Sequence, residues 1–244
     1  GVLEFNGESL INHYTENNTS GVLESIMETD GVTRIGGLDF DASGALWVSN
    51  SQTNRPLVRF HNKTWNSFSV PDLSNNIMSG KIMCASNNQK WIQLRDDGVV
   101  IARELKGGFE SRKIGTENGL PSNTVHCFEE DKNGEIWVGT SQGLSIFYFP
   151  SEIFNNPYYS AEYILIETED GYVEKLFENT EILDIKVDDA NRKWIGTKMN
   201  GVFLISDDGT SQIYNFTKEN SPLLSNAVYD IDIIKSSGEV FFLT

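Results

Sequence analysis

The side chains able to do nucleophilic, acid–base or metal chemistry are few, and their spacing brings none of them together. The three histidines, His13, His61 and His126, fall in three separate stretches. A zinc site wants a compact His/Cys set, and no such spacing exists here. His126 adjoins Cys127 in the apolar run TVHCFEE. Neighbours in a strand point to opposite faces, so a Cys–His nucleophile pair is disfavoured. Cys84, in KIMCAS, reads like Cys127 as a buried thiol rather than half of a bridge. Paired carboxylates recur at Asp96-Asp97-Gly98, Asp188-Asp189 and Asp207-Asp208-Gly209. The two acids of a glycosidase flank the scissile bond from separate elements, whereas Asp before Gly is what a tight turn requires. None of the three has the alternating-acid loop of a calcium site. There is no G-x-S-x-G elbow, P-loop or H-E-x-x-H. The expectation is a protein without catalytic residues, metal or cofactor.

One stretch has the chemistry of recognition instead. FPSEIFNNPYYSAEY places Phe154, Tyr158, Tyr159 and Tyr163 around Pro157. Exposed tyrosines stack on and hydrogen-bond to glycans or protein partners, so these four are the candidate ligand-binding residues. The alternative is that the rings pack back onto neighbouring strands.

The elements that carry these residues are set by a repeat. GALWVSN, NQKWIQL, GEIWVGT and NRKWIGT align on Trp47, Trp91, Trp137 and Trp194, and GEVFFLT puts Phe241 in the same phase. The intervals are 44, 46, 57 and 47 residues, the length of one propeller blade. Each unit reads as an apolar strand, a polar turn, the Trp strand, a third strand such as PLVRF or GVFLIS, and a more variable fourth. Short strands rich in Val, Ile and Phe cannot bury both faces alone, and stacking similar sheets around an axis solves that. The five phased aromatics are therefore expected in the core. The steps Ser122-Asn123 and Ser225-Asn226 recur in phase and read as structural caps where a loop enters the first strand.

The predicted fold is an all-β propeller of four-stranded antiparallel blades, with residues 1–244 as one domain. GVLEF matches a third strand, while the last segment supplies only a first and a second. Five blades closed by the two terminal half-blades is the expected ring, and an arc cut from a larger ring is the rival. A start on GVLEF, with no leader, reads as a domain trimmed from a longer parent. A formal charge of −16 argues against nucleic acid and anionic lipid as partners. No apolar run reaches the ~18–20 residues of a membrane span.

Residues 119–147, GLPSN followed by TVHCFEEDKNGEIWVGTSQGLSIF, resemble the two-component regulator propeller repeat of Bacteroidetes proteins. That pattern runs G-L-P-S-N-x-V, an acidic strand end, G-x-I/L-W-I/V-G-T, then G-L/V. NRKWIGTKMNGVFLIS matches nearly as well, whereas Ser49-Asn50 and Gln93-Leu94 replace its Gly-Thr in the first two copies. The last third is similar to the propellers of PorZ-type proteins, surface components linked to type IX secretion and anionic lipopolysaccharide. The resemblance implies an extracytoplasmic, non-enzymatic module whose partners are a glycan, lipopolysaccharide or protein. The sister reading is the periplasmic oligosaccharide-sensing domain of a hybrid two-component system, and a five-bladed glycosidase comes third.

Overall fold

In the computed structural model the described residues are 1–26, 31–74, 77–167 and 170–244. They divide into two compact units, one of residues 1–95 and 99–113 and one of residues 96–98 and 114–244. Every sheet is antiparallel, and no helix among the described residues is long and apolar enough to cross a membrane.

The first unit holds β1 (Val2–Asn6) and β2 (Ser9–Tyr14) as a two-stranded sheet. Next come β3 (Ile35–Phe40), β4 (Leu46–Asn50), β5 (Leu57–His61) and β6 (Thr64–Phe68), hydrogen-bonded in that order. A second four-stranded sheet follows from β7 (Ser79–Cys84), β8 (Lys90–Leu94), β9 (Val99–Leu105) and β10 (Gly108–Ile114). Trp47, Leu57, Ile82, Ile92 and Val100 make the layer between these two sheets.

The second unit starts with three strands, β11 (Val125–Glu130), β12 (Ile136–Thr140) and β13 (Gly143–Phe147). Among the described residues no fourth strand joins this sheet, and β13 carries instead one bridge, Ile146 to Glu162. Pro150 stands three residues after β13, lacks a backbone N–H, and opens a 3-10 turn over Pro150–Phe154. The chain then makes a separate hairpin, β14 (Leu165–Glu167) and β15 (Val173–Lys175). A complete sheet follows from β16 (Ile182–Val187), β17 (Lys193–Thr197), β18 (Val202–Ile205) and β19 (Gln212–Phe216). The last pair is β20 (Asp230–Ile234) and β21 (Glu239–Leu243). Trp137, Ile146, Ile182, Ile195 and Ile205 fill one layer, and Trp194, Val228, Ile231 and Phe242 the next.

The Gly-Thr of the repeat has a packing reason. A Cβ on Gly139 would stand 2.6 Å from Cys127 Sγ and 2.6 Å from Ile182 Cγ2, so only glycine lets neighbouring first strands approach. Thr140 and Thr197 then donate their hydroxyls to the carbonyls of Gly143 and Gly201, each at 2.9 Å, closing the turn to the third strand. In the first copy Asn50 stands in the threonine's place, and its side-chain amide donates instead to Glu24 O and Arg34 O, on the chain before β3.

Trp47, Trp91 and Trp137 are buried, at 2%, 0% and 0% exposure, and Trp194 is half-buried. Phe241 departs from the expected core. It is 54% exposed, because its neighbours Val240 and Phe242 take the face of β21 that packs on Trp194.

Candidate functional site

One arrangement recurs at the turn between first and second strands. Asp41 Oδ1 accepts hydrogen bonds from the Ser43 and Ala45 backbone N–H groups at 2.9 and 3.1 Å, and Oδ2 accepts from Trp47 Nε1 at 2.7 Å. Asp131 repeats every offset, with Asn133 N at 2.9 Å, Glu135 N at 3.0 Å and Trp137 Nε1 at 3.3 Å. The carboxylate shapes the turn and also satisfies an indole N–H that burial would otherwise leave unpaired. Burial works to raise the Asp41 pKa, but the hydrogen bonds from Ser43, Trp47 and Ala45 outweigh it and bring it down to about 2. Asp131 is lowered as well, burial being overcome chiefly by Lys193 and the turn N–H groups. In the second sheet Gln89 Oε1 takes the indole of Trp91 at 3.3 Å.

An ammonium group covers two of these rings. Lys90 Nζ lies 4.8 Å from the centre of the Trp47 ring, and Lys193 Nζ lies 4.5 Å from that of Trp137. Each lysine directly precedes the tryptophan of the following sheet. Lys193 is fully buried, donates to Asp131 Oδ2 at 2.8 Å and also to the carbonyl of Asp207.

The turn before Trp194 departs from the pattern. Asp188 Oδ1 still accepts from Ala190 N and Arg192 N, at 2.9 and 3.0 Å. Its Oδ2 goes instead to Arg192 Nε at 2.7 Å, and Trp194 Nε1 is buried with no hydrogen-bond partner. Arg192 occupies the place of Ala45, Gln89 and Glu135, two residues before the tryptophan. The position of Lys90 and Lys193 is taken by Val240. Trp194 and Val240 line a cleft of about 560 Å³ whose wall carries Glu129, Glu130, Asp131, Asp188 and Asp189. Its cationic side chains are Lys132, Arg192 and Lys235. Lys132 pairs with Asp189 at 3.1 Å and Arg192 Nη2 with Asp188 at 2.7 Å.

The four candidate aromatics have different surroundings. Tyr158 is 90% exposed and stands out alone. Tyr159 packs back, its ring 6.1 Å from Phe147 and its hydroxyl accepting from Phe149 N at 2.6 Å. Tyr163 lies under Lys175 Nζ at 3.7 Å beside a separate cavity of about 170 Å³, and Phe154 is half-buried at the end of its 3-10 turn. His126 faces Glu181 at 3.2 Å, and Glu181 is held on its other oxygen by Lys198 at 2.8 Å. Cys127 is buried and Cys84 partly so, both as free thiols, and burial pushes the Cys84 thiol up to about 12. The Asp-Gly steps form turns, with Gly98 and Gly209 at φ of 80° and 76°. The Ser-Asn caps are in place: Asn123 and Asn226 accept from Thr116 N and Lys218 N, at 2.9 and 2.8 Å. Reading the sequence missed the lone aspartates Asp41 and Asp131, although an Asp six residues before each of three tryptophans is visible in it.

These repeating sheets, with a first-strand turn keyed to a buried tryptophan, define a β-propeller. Residues 119–142 match the two component regulator propeller family, so the chain carries that repeat. The chain superposes on PorZ, a surface component of the type IX secretion system of Porphyromonas gingivalis, over 99% of its own length and 34% of that protein's. The TM-score is 0.86 and the identity 24%. An extracellular domain assigned to a hybrid two-component system of B. thetaiotaomicron matches 88% of this chain and 26% of its own, with a TM-score of 0.57 and 18% identity. Virginiamycin B lyase from Staphylococcus aureus matches 90% of this chain and 72% of its own, with a TM-score of 0.56 and 14% identity. The chain therefore spans about a third of the length of PorZ. No curated protein matches it in sequence.

Proposed function

We propose that this chain is a non-enzymatic binding and assembly module of an extracytoplasmic, PorZ-like protein serving surface secretion or lipopolysaccharide handling. The observation that carries the reading is the superposition over 99% of the chain at a TM-score of 0.86, against 0.57 for the sensor domain. Its carboxylates support it: Asp41, Asp131 and Asp188 are engaged in building turns. With this reading goes a ring of five blades, the count given by the sequence phase, in which the two terminal half-blades supply one. Fractionation of cells with an antibody to residues 1–244 tests the placement. Recovery at the outer membrane or cell surface, and capture of lipopolysaccharide or secretion components by the purified protein, are expected. Saturable hydrolysis of a polysaccharide or peptide, abolished by one carboxylate change, would refute the non-enzymatic part.

The alternative is an oligosaccharide-sensing domain of a hybrid two-component system, favoured by the regulator-propeller repeat at residues 119–142. Recovery of the parent polypeptide in the inner membrane, together with saturable oligosaccharide binding, would replace the first reading with this one.

A further inference from the structure

The glycine that opens the third strand is covered differently in the sheet of β11–β13 than in two complete sheets. A Cβ on Gly98 would stand 2.1 Å from Ile114 O, and one on Gly201 2.0 Å from Phe216 O. In those sheets the last residue of the fourth strand therefore lies directly over the glycine. Gly143 has the same place at the start of β13, which no fourth strand joins among the described residues. The nearest atom to its Cβ position is Phe177 O, at 3.2 Å. The loop 177–179 thus stands in for a strand end but does not fill its space, and the cavity of about 170 Å³ lies between this loop, Gly143 and Tyr163.

That loop is strained and firmly held. Phe177 and Asn179 have φ of 56° and 58°, on either side of Glu178, in a region that a bulky side chain rarely adopts. The Phe177 ring packs edge-on against Phe203 at 4.9 Å and 72°, and Asn179 N donates to Gln142 O at 3.1 Å. Strain that the surroundings over-determine in this way collects at ligand clamps. The lining has the chemistry of a clamp for hydroxyl groups. Gln142 and Asn179 each offer a donor and an acceptor side by side, which matches two neighbouring hydroxyls, and Glu178 adds acceptors. These three side chains are exposed, so the cavity opens to solvent past them. Pro121 and Leu176 supply apolar wall, and Lys175, seated over the Tyr163 ring, offsets the charge of Glu178. The volume falls below the ~300–1,000 Å³ of pockets for drug-sized ligands, which limits the occupant to one small ring.

We propose that this cavity binds a single neutral pyranose residue, its neighbouring hydroxyls held by Gln142 and Asn179. The inference shares with the assembly and sensor readings only that a glycan is bound, and it assigns neither the glycan's source nor the parent protein's place in the cell.

The test follows the side-chain amide signals of Gln142 and Asn179 by NMR, assigned with Gln142→Ala and Asn179→Gly. Methyl glucoside, methyl galactoside and methyl mannoside are titrated through the millimolar range, with cyclohexanol and glucuronate beside them. The expected result is a saturable shift of both amides with at least one methyl glycoside and none with cyclohexanol. Asn179→Gly keeps a residue suited to positive φ while removing the amide, so it should bind about tenfold more weakly with an unchanged urea midpoint. The proposal fails if no glycoside moves the two signals, if cyclohexanol moves them equally, or if Asn179→Gly binds as well as the parent. Tighter binding of glucuronate than of the neutral glycosides would overturn the neutral assignment. Lipopolysaccharide capture that persists without any glycoside response would sink the cavity and leave the assembly reading standing. Glycoside binding without capture or surface recovery would do the reverse.

Discussion

Removing the Asp131 carboxylate should cost far more than removing that of Asp41, although the two make the same turn. Both hold two backbone N–H groups and one indole. Only Asp131 also holds an ammonium, that of Lys193, and both of those side chains have 0% exposure. In Asp41→Ala the loss is a turn cap and an indole partner, about 1–2 kcal/mol. In Asp131→Ala the Lys193 charge is left buried with the Asp207 carbonyl and the Trp137 ring, so the breakage of a buried pair is added, bringing the cost to about 3–5 kcal/mol. Lys193→Met should be milder than Asp131→Ala, because Asp131 keeps three N–H donors. The double variant Asp131→Asn/Lys193→Met should recover much of the loss, since neither charge is left unpaired. Urea unfolding followed by tryptophan fluorescence gives all four values. Equal costs for Asp131→Ala and Asp41→Ala would refute the argument, showing that the buried pair adds nothing beyond the turn.

Four further outcomes follow from the same geometry. Trp137→Ala should cost about 3–5 kcal/mol as a large truncation in a closed layer, and a mild effect in urea unfolding would mean the cavity collapses freely. Arg192→Ala should release Asp188 Oδ2 for Trp194 Nε1, moving that indole N–H signal downfield with little change in the urea midpoint; an unmoved signal would show that the carboxylate does not reach the ring. Tyr159→Phe should cost about 1 kcal/mol through the lost acceptor for Phe149 N, whereas Tyr158→Ser should be neutral within about 0.5 kcal/mol. Asp41, Asp131, Asp188 and Asp208 all have pKa values lowered by folding. Their contribution is complete above the unfolded value of 3.8 and is lost as the pH falls through that value towards about 2, the folded value of Asp41. Thermal melts that do not weaken between about pH 4 and pH 2, the window of those shifts, would contradict this.

How much of the fold could be read in advance depended on whether a feature repeated. Trp47, Trp91 and Trp137 were legible because one large ring recurs in a fixed phase, and their burial follows from stacking similar sheets. The missing fourth strand after β13 was not, because Pro150 acts through a single local event with no second copy to compare. The same limit explains the aromatic cluster. Tyr158 and Tyr159 are adjacent in sequence, yet one is 90% exposed while the other turns its hydroxyl back to Phe149 N. Composition sees two tyrosines, and only the turn around Asn156 separates them.

The repeat is also what exposes the departure at Trp194. A half-buried tryptophan beside a cleft would mean little in a chain with one copy, since rings often sit at the edge of a core. Here three sister rings give the reference: each has its indole N–H satisfied, and two lie under a lysine ammonium. Against that reference two changes, Arg192 before the ring and Val240 beyond it, remove the carboxylate from the indole and the cation from the ring. Either change alone would have a local consequence. Arg192 without Val240 would strand the indole under a resident lysine, and Val240 without Arg192 would leave a satisfied ring beside an apolar step. Together they leave Trp194 with an unpaired buried indole N–H and with Phe216 and Phe242 packed on its ring at 6.0 and 5.7 Å, where Trp47 and Trp137 have a carboxylate and an ammonium.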